Sequence, residues 1–127
     1  MIERSRVLTG RWQDGAFRLR LRRPTSGGRA WVEVDWAWAL EREEARGDVV
    51  GFYHTHPGMA AVPSARDVAT MWAWVSCFGK PLLCAIEGEE GLAAYLLESD
   101  EDEGRPLPRA ERRGGWLAVW LEDAVDE

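Results

Sequence analysis

The chain has 127 residues, with 22 acidic against 16 basic side chains and a formal net charge of −6. That length sets the expectation of one domain able to bury roughly two thirds of its unfolded surface. No apolar stretch nears the roughly eighteen residues of a membrane span, no signal-like run opens the chain, and two cysteines make no disulfide framework. A cytoplasmic protein without membrane association is expected, with Cys77 and Cys84 as buried, reduced thiols among apolar neighbours.

In chain order, a strand is expected near Arg6 to Thr9, a turn at Gln13-Asp14-Gly15, and a strand from Ala16 to Arg22 with Phe17, Leu19 and Leu21 facing inward. A loop over 24–28, a strand over 30–35 and a helix from Trp36 to Arg46 follow, with Gly47 closing the helix. Val49 to His54 reads as a buried strand and Ser64 to Phe78 as a second helix, broken by Gly79, Lys80 and Pro81. Leu82 to Ile86 and Leu92 to Leu97 read as a hairpin around a turn over 87–91. Residues 98–114, rich in acids, arginine, proline and glycine, read as a mobile loop. Trp116 to Leu121 returns to an apolar pattern ahead of an acidic tail. The expected division is a core over 1–97, a flexible acidic loop over 98–114, and a C-terminal segment over 115–127 belonging to the same domain.

Two features of composition stand out. The first thirty residues hold eight arginines against Glu3 and Asp14, and Arg18, Arg20 and Arg22 alternate along one strand face. They suit either a docking surface for an acidic protein or nucleic acid, or a solvated face. The second is the simpler expectation, because the chain is acidic overall and carries no stacking motif. Six of the eight tryptophans fall in near pairs, and on a helix Trp72 and Trp74 point about 200° apart, so one faces the sheet and the other solvent or a partner.

The chemistry concentrates in His54-Thr55-His56-Pro57, followed by Ser64-Ala65-Arg66-Asp67. Two histidines at i and i+2 share one face of a strand, and Asp67 would enter from the first turn of the next helix. Two imidazoles and one carboxylate form a zinc site with one position open, the mark of a catalytic metal. Ser64-x-x-Asp67 is equally the pattern of a capping box, which requires no metal.

Gly51-Phe52-Tyr53-His54-Thr55-His56-Pro57, then Ser64 and Asp67 after the same interval, resembles the JAMM, or MPN-plus, zinc metalloprotease signature, and among its members the prokaryotic deubiquitinase-like ones. Glu3-Arg4-Ser5-Arg6-Val7-Leu8-Thr9-Gly10 matches the family's upstream glutamate segment, with Arg6 in place of its first glycine. The family carries a helix ahead of that glutamate; with Glu3 two residues from Met1, this helix is absent or lies upstream.

The resemblance implies a single-domain α/β fold, a mixed sheet flanked by helices in a cytidine-deaminase-like sandwich. It implies Zn2+ held by His54, His56 and Asp67, Glu3 as general base, and a Ser64 hydroxyl that hydrogen-bonds the oxyanion. Glu33 and Glu41 are weaker candidates for the base. The implied reaction is peptide or isopeptide hydrolysis after the C-terminal tail of a ubiquitin-like or sulfur-carrier protein, the tail adding to a sheet edge beside the metal. A homodimer or partner covering an exposed sheet face is expected, and no nucleic acid. The alternative is a catalytically silent MPN-type scaffold. A zinc deaminase would need His-x-Glu and Pro-Cys-x-x-Cys, which the chain lacks, and a metallophosphoesterase would usually need more histidines than these two.

Overall fold

The computed structural model describes residues 4–26, 34–99 and 103–122. β1 (Arg4–Gln13) and β2 (Ala16–Ser26) form an antiparallel hairpin. Its two-residue turn puts both Asp14 (φ 53°) and Gly15 (φ 84°) in the left-handed region, the conformation that matches the twist of paired strands. α1 (Trp36–Arg46) follows. Its N-cap is Asp35, whose carboxylate accepts the Trp38 N–H, and it ends on Gly47 in the left-handed conformation. β3 (Val49–Thr55) leads through a loop to α2 (Ala65–Phe78), then β4 (Leu82–Gly88) and β5 (Gly91–Leu97). The chain closes with β6 (Arg105–Pro106), β7 (Arg109–Arg113) and β8 (Trp116–Trp120).

All eight strands join one sheet in the order β6-β5-β4-β3-β1-β2-β8-β7. Only β3 and β4 run parallel, with α2 as their crossover; every other pair is antiparallel. Both helices lie on the same face. Ala39 of α1 and Met71, Trp74 and Val75 of α2 are buried against Val7, Phe52, Cys84 and Ile86. The opposite face holds a second core, with Leu8, Leu19, Leu83, Leu117 and Val119 at its centre and no helix of the described residues in it. The sheet supplies that cover by curling. Arg112, on β7 near one end of the strand order, donates to the Tyr53 hydroxyl of β3 (3.1 Å) and to Glu87 of β4 (2.9 Å). Tyr53 itself donates to Glu87 at 2.6 Å, and burial followed by the adjacent carboxylate pushes its pKa up to about 12.

These findings correct the expected helix-flanked α/β sandwich. Strands hold 49% and helices 23% of the described residues, and the architecture is one curled eight-stranded sheet with two helices on one face. The difference comes from residues 98–114, expected as a loop, which contain β6 and β7. β7 reads as loop because its side chains are polar. Its backbone pairs with β8, while Glu111 accepts from Arg109 and Arg113 and both guanidinium groups lie over Trp120. The strand expected over 30–35 falls partly outside the described residues; of its end, Val34 and Asp35 lead into α1. Trp74 is only 2% exposed and Trp72 is partly buried against the same core. Cys84 is buried as expected, but Cys77 is exposed on α2. No helix among the described residues is long and apolar enough to cross a membrane.

Candidate metal centre

The centre is built where the parallel strands end and α2 begins, a place where open α/β sheets bind ligands. Phe52 of β3 packs into the helix-side core, so strand alternation puts His54 on that same side. His56 follows the strand, 5% exposed, its backbone N–H donating to the Glu87 carbonyl at 2.9 Å. Asp67 is the third residue of α2 and turns its carboxylate back across the strand end.

The three side chains converge. His54 Nε2 and His56 Nε2 are 3.0 Å apart, and each is 3.2 Å from Asp67 Oδ2. Protons alone satisfy this arrangement poorly. An N–H on both rings would set two hydrogens against each other, and an N–H on only one leaves a lone pair facing the carboxylate. A shared cation uses all three lone pairs. Ligands about 2.0–2.1 Å from a tetrahedral zinc would be separated by about 3.3 Å, close to the three distances present. The donor set therefore fits zinc, and among the described residues no other group of three metal-capable side chains is gathered this way.

Two local bonds prepare these donors. The Ala60 carbonyl lies 3.3 Å from His56 Nδ1, so it accepts a proton held there and leaves Nε2 as the lone-pair donor. Asp67 Oδ2 also accepts the Ser64 N–H at 2.8 Å. Burial works against ionisation of Asp67, but the His54 imidazole and the Ser64 bonds outweigh it and bring the carboxyl to about 2. It is a carboxylate at neutral pH, ready to ligate. The Cys84 thiol, by contrast, is raised by burial first and then by the Asp67 charge, and remains protonated.

Ser64 forms both halves of a capping box: its Oγ accepts the Asp67 N–H at 3.1 Å while Asp67 accepts the Ser64 N–H. Cap and catalytic readings are compatible here. The cap uses a lone pair of the hydroxyl and leaves its hydrogen available to a substrate. Glu3, the base candidate, lies outside the described residues, as does Glu33; Glu41 is exposed on α1 and does not join the group. The strand that follows Glu3 in sequence does reach the site. Ser5 pairs with His54 across β1 and β3, and the Arg4 N–H donates to Thr55 Oγ1 at 2.9 Å.

Sequence reasoning missed the residues that hold the loop joining the ligands. Tyr95 Oη donates to the Ala61 carbonyl at 2.7 Å, and the Glu89 N–H donates to the Met59 carbonyl at 2.8 Å. Gly88 lets this loop lie against β4; a Cβ there would sit 2.6 Å from the Met59 oxygen and the Ala61 nitrogen. A glycine closing an apolar strand was the only visible signal. With its carbonyls turned inward, the loop leaves the Met59 and Val62 side chains outward, 59% and 56% exposed. β3 is hydrogen-bonded to β1 on one side and β4 on the other, so among the described residues it offers no free edge beside the histidines.

A family model described as prokaryotic homologs of the JAB domain matches residues 3–112. Among curated proteins, none matches the chain.

Proposed function

The chain belongs to the prokaryotic homologs of the JAB domain, and from that premise we propose that it is a zinc-dependent metallopeptidase or isopeptidase of the JAMM type. The observation that carries this reading is the convergence of His54 Nε2, His56 Nε2 and Asp67 Oδ2 within hydrogen-bond distance of one another. Three protein donors leave a fourth tetrahedral position for water or substrate. Zinc held there would lower the pKa of its water toward about 7 and polarise the scissile carbonyl.

The chain's own residues supply the rest. The Ala60 carbonyl accepts from His56 Nδ1, which turns Nε2 toward the shared metal position. Asp67 stays ionised and holds the first turn of α2 against the strand end. The Ser64 O–H, free of the cap bond, donates to the oxyanion as the carbonyl carbon becomes tetrahedral, a contribution whose loss costs about 10²–10³ in rate. Glu3 takes the proton of the attacking water and delivers it to the leaving amine. Its assignment rests on the motif match and on the register that brings Ser5 beside His54.

The substrate class is the tail of a ubiquitin-like or sulfur-carrier protein, approaching over the end of β3 and the loop bearing Met59 and Val62. The test is to incubate the zinc-loaded chain with a panel of ubiquitin-like conjugates and precursors, beside Glu3→Gln. Cleavage by wild type, with Glu3→Gln retaining zinc but losing about 10²-fold or more in turnover, is the expected result. Full zinc without cleavage of any panel member would favour the silent scaffold, and equal activity in Glu3→Gln would remove Glu3 from the mechanism.

A further inference from the structure

On the helix side of the sheet, α1 and α2 cover β3, β4, β5 and Val7 of β1, whereas among the described residues no helix lies over β2, β8 and the Thr9 to Arg11 part of β1. A groove of about 660 Å³ runs there, lined by Thr9 and Arg11 of β1, Arg18, Arg20 and Arg22 of β2, and Trp116 of β8. Strand alternation creates it. Sending Phe17, Leu19 and Leu21 into the second core sends Arg18, Arg20 and Arg22 to the opposite face.

Among the described residues, the groove's only lining carboxylate is Asp48, and no ion pair joins it to the groove's arginines. Arg42, Arg109, Arg112 and Arg113 each pair with a carboxylate, whereas Arg11, Arg18, Arg20 and Arg22 have none among the described residues. The acids nearby are engaged elsewhere, Asp48 by Arg42 and Glu111 by Arg109 and Arg113. One guanidinium is built in: Arg22 Nε donates at 3.1 Å to the hydroxyl of Thr9, a residue only 2% exposed.

We infer that this groove binds an extended acidic segment of a partner polypeptide. Guanidinium forks match carboxylates bidentately, and successive same-face residues on β2 are spaced by about 6.6–6.8 Å, the repeat of alternate side chains in an extended peptide. The aromatic group argues against a nucleic acid. Trp116 has the guanidinium groups of Arg18 and Arg113 over its ring, at 5.7 and 5.6 Å from the centroid, so its face is taken and not offered to a base. The inference stands apart from the metal reading.

The test is fluorescence anisotropy with a labelled ten-residue peptide of alternating Glu and Ser, using the full chain. Saturable binding is expected, weakened about tenfold or more in Arg18→Glu/Arg20→Glu, and severalfold on raising salt from about 50 to about 300 mM. His56→Ala should bind as wild type does. If the charge-reversed chain does not fold by circular dichroism, Arg18→Gln/Arg20→Gln replaces it, with the same loss expected. Absence of binding, binding insensitive to these substitutions, or tighter binding of a single-stranded oligonucleotide would overturn the assignment. So would peptide binding that emerges only when Asp123→Asn, Asp126→Asn and Glu127→Gln are combined, which would assign the groove to the chain's own acidic end.

Discussion

The two halves of the helix-side face are the same sheet put to opposite uses. Over β3, β4 and β5, α1 and α2 bury Phe52, Trp74 and Ile86, and the order this imposes aims three donors at one point. Over β2, β8 and the far end of β1 no helix of the described residues sits, and the face carries Arg11, Arg18, Arg20 and Arg22 around a groove. The lesson is that convergence at the metal centre depends on apolar cover next to it, whereas the arginine face depends only on strand alternation. Stability should therefore be concentrated in one half and tolerance to substitution in the other.

The strongest way to break that contrast is Trp74→Ala. It removes the largest fully buried side chain of the covered half and should cost about 3–5 kcal/mol in urea unfolding, whereas Arg20→Ala should stay within about 0.5 kcal/mol. Equal costs would mean that the cover is not what holds the sheet. Arg112→Met tests the curl, since this side chain ties β7 to Tyr53 and Glu87; a loss of about 1–2 kcal/mol is expected in the same experiment, and no loss would free β7 from that role.

Ser64→Ala comes next. Without metal it should cost about 1 kcal/mol through the cap, and in the zinc-loaded chain it should lower turnover by a factor well beyond that stability change. The smallest effect concerns the Arg42–Asp48 pair, which joins α1 to the start of β3 at 2.7 Å. The Arg42 hydrogen bond, opposed by burial and reinforced by its charge, holds the Asp48 carboxyl below the usual carboxylate range. That stabilisation is present above an ordinary carboxylate pKa of about 3.9 and is lost as pH falls through the lower folded value. Arg42→Met should thus lower stability slightly at neutral pH and flatten the acid limb of a stability–pH curve. An unchanged acid limb would show that the pair contributes nothing.

Much of the covered half was legible in the sequence because its signals are local. Gly47 ends α1, Ser64 and Gly79 bound α2, and His54 and His56 stand two apart at the end of an apolar strand. The family resemblance agrees with the match over residues 3–112. What escaped is set by pairing between distant segments. Arg109 to Arg113 has no apolar alternation, and its strand identity comes from β8; the Gly114-Gly115 dipeptide before Trp116, a two-residue hairpin signal, was the one local clue. Without β7 the curl could not be anticipated, and a helix-flanked sandwich was the natural expectation. Tyr95 and Gly88 escaped for the same reason, since their partners in the ligand loop lie more than twenty residues away in sequence.

The central claim is that His54, His56 and Asp67 form a zinc site. Elemental analysis of purified wild type beside His56→Ala tests it most directly. One zinc per chain in wild type, lost in the variant while its circular dichroism is unchanged, is the predicted result; no zinc in wild type, or full zinc in His56→Ala, would contradict it.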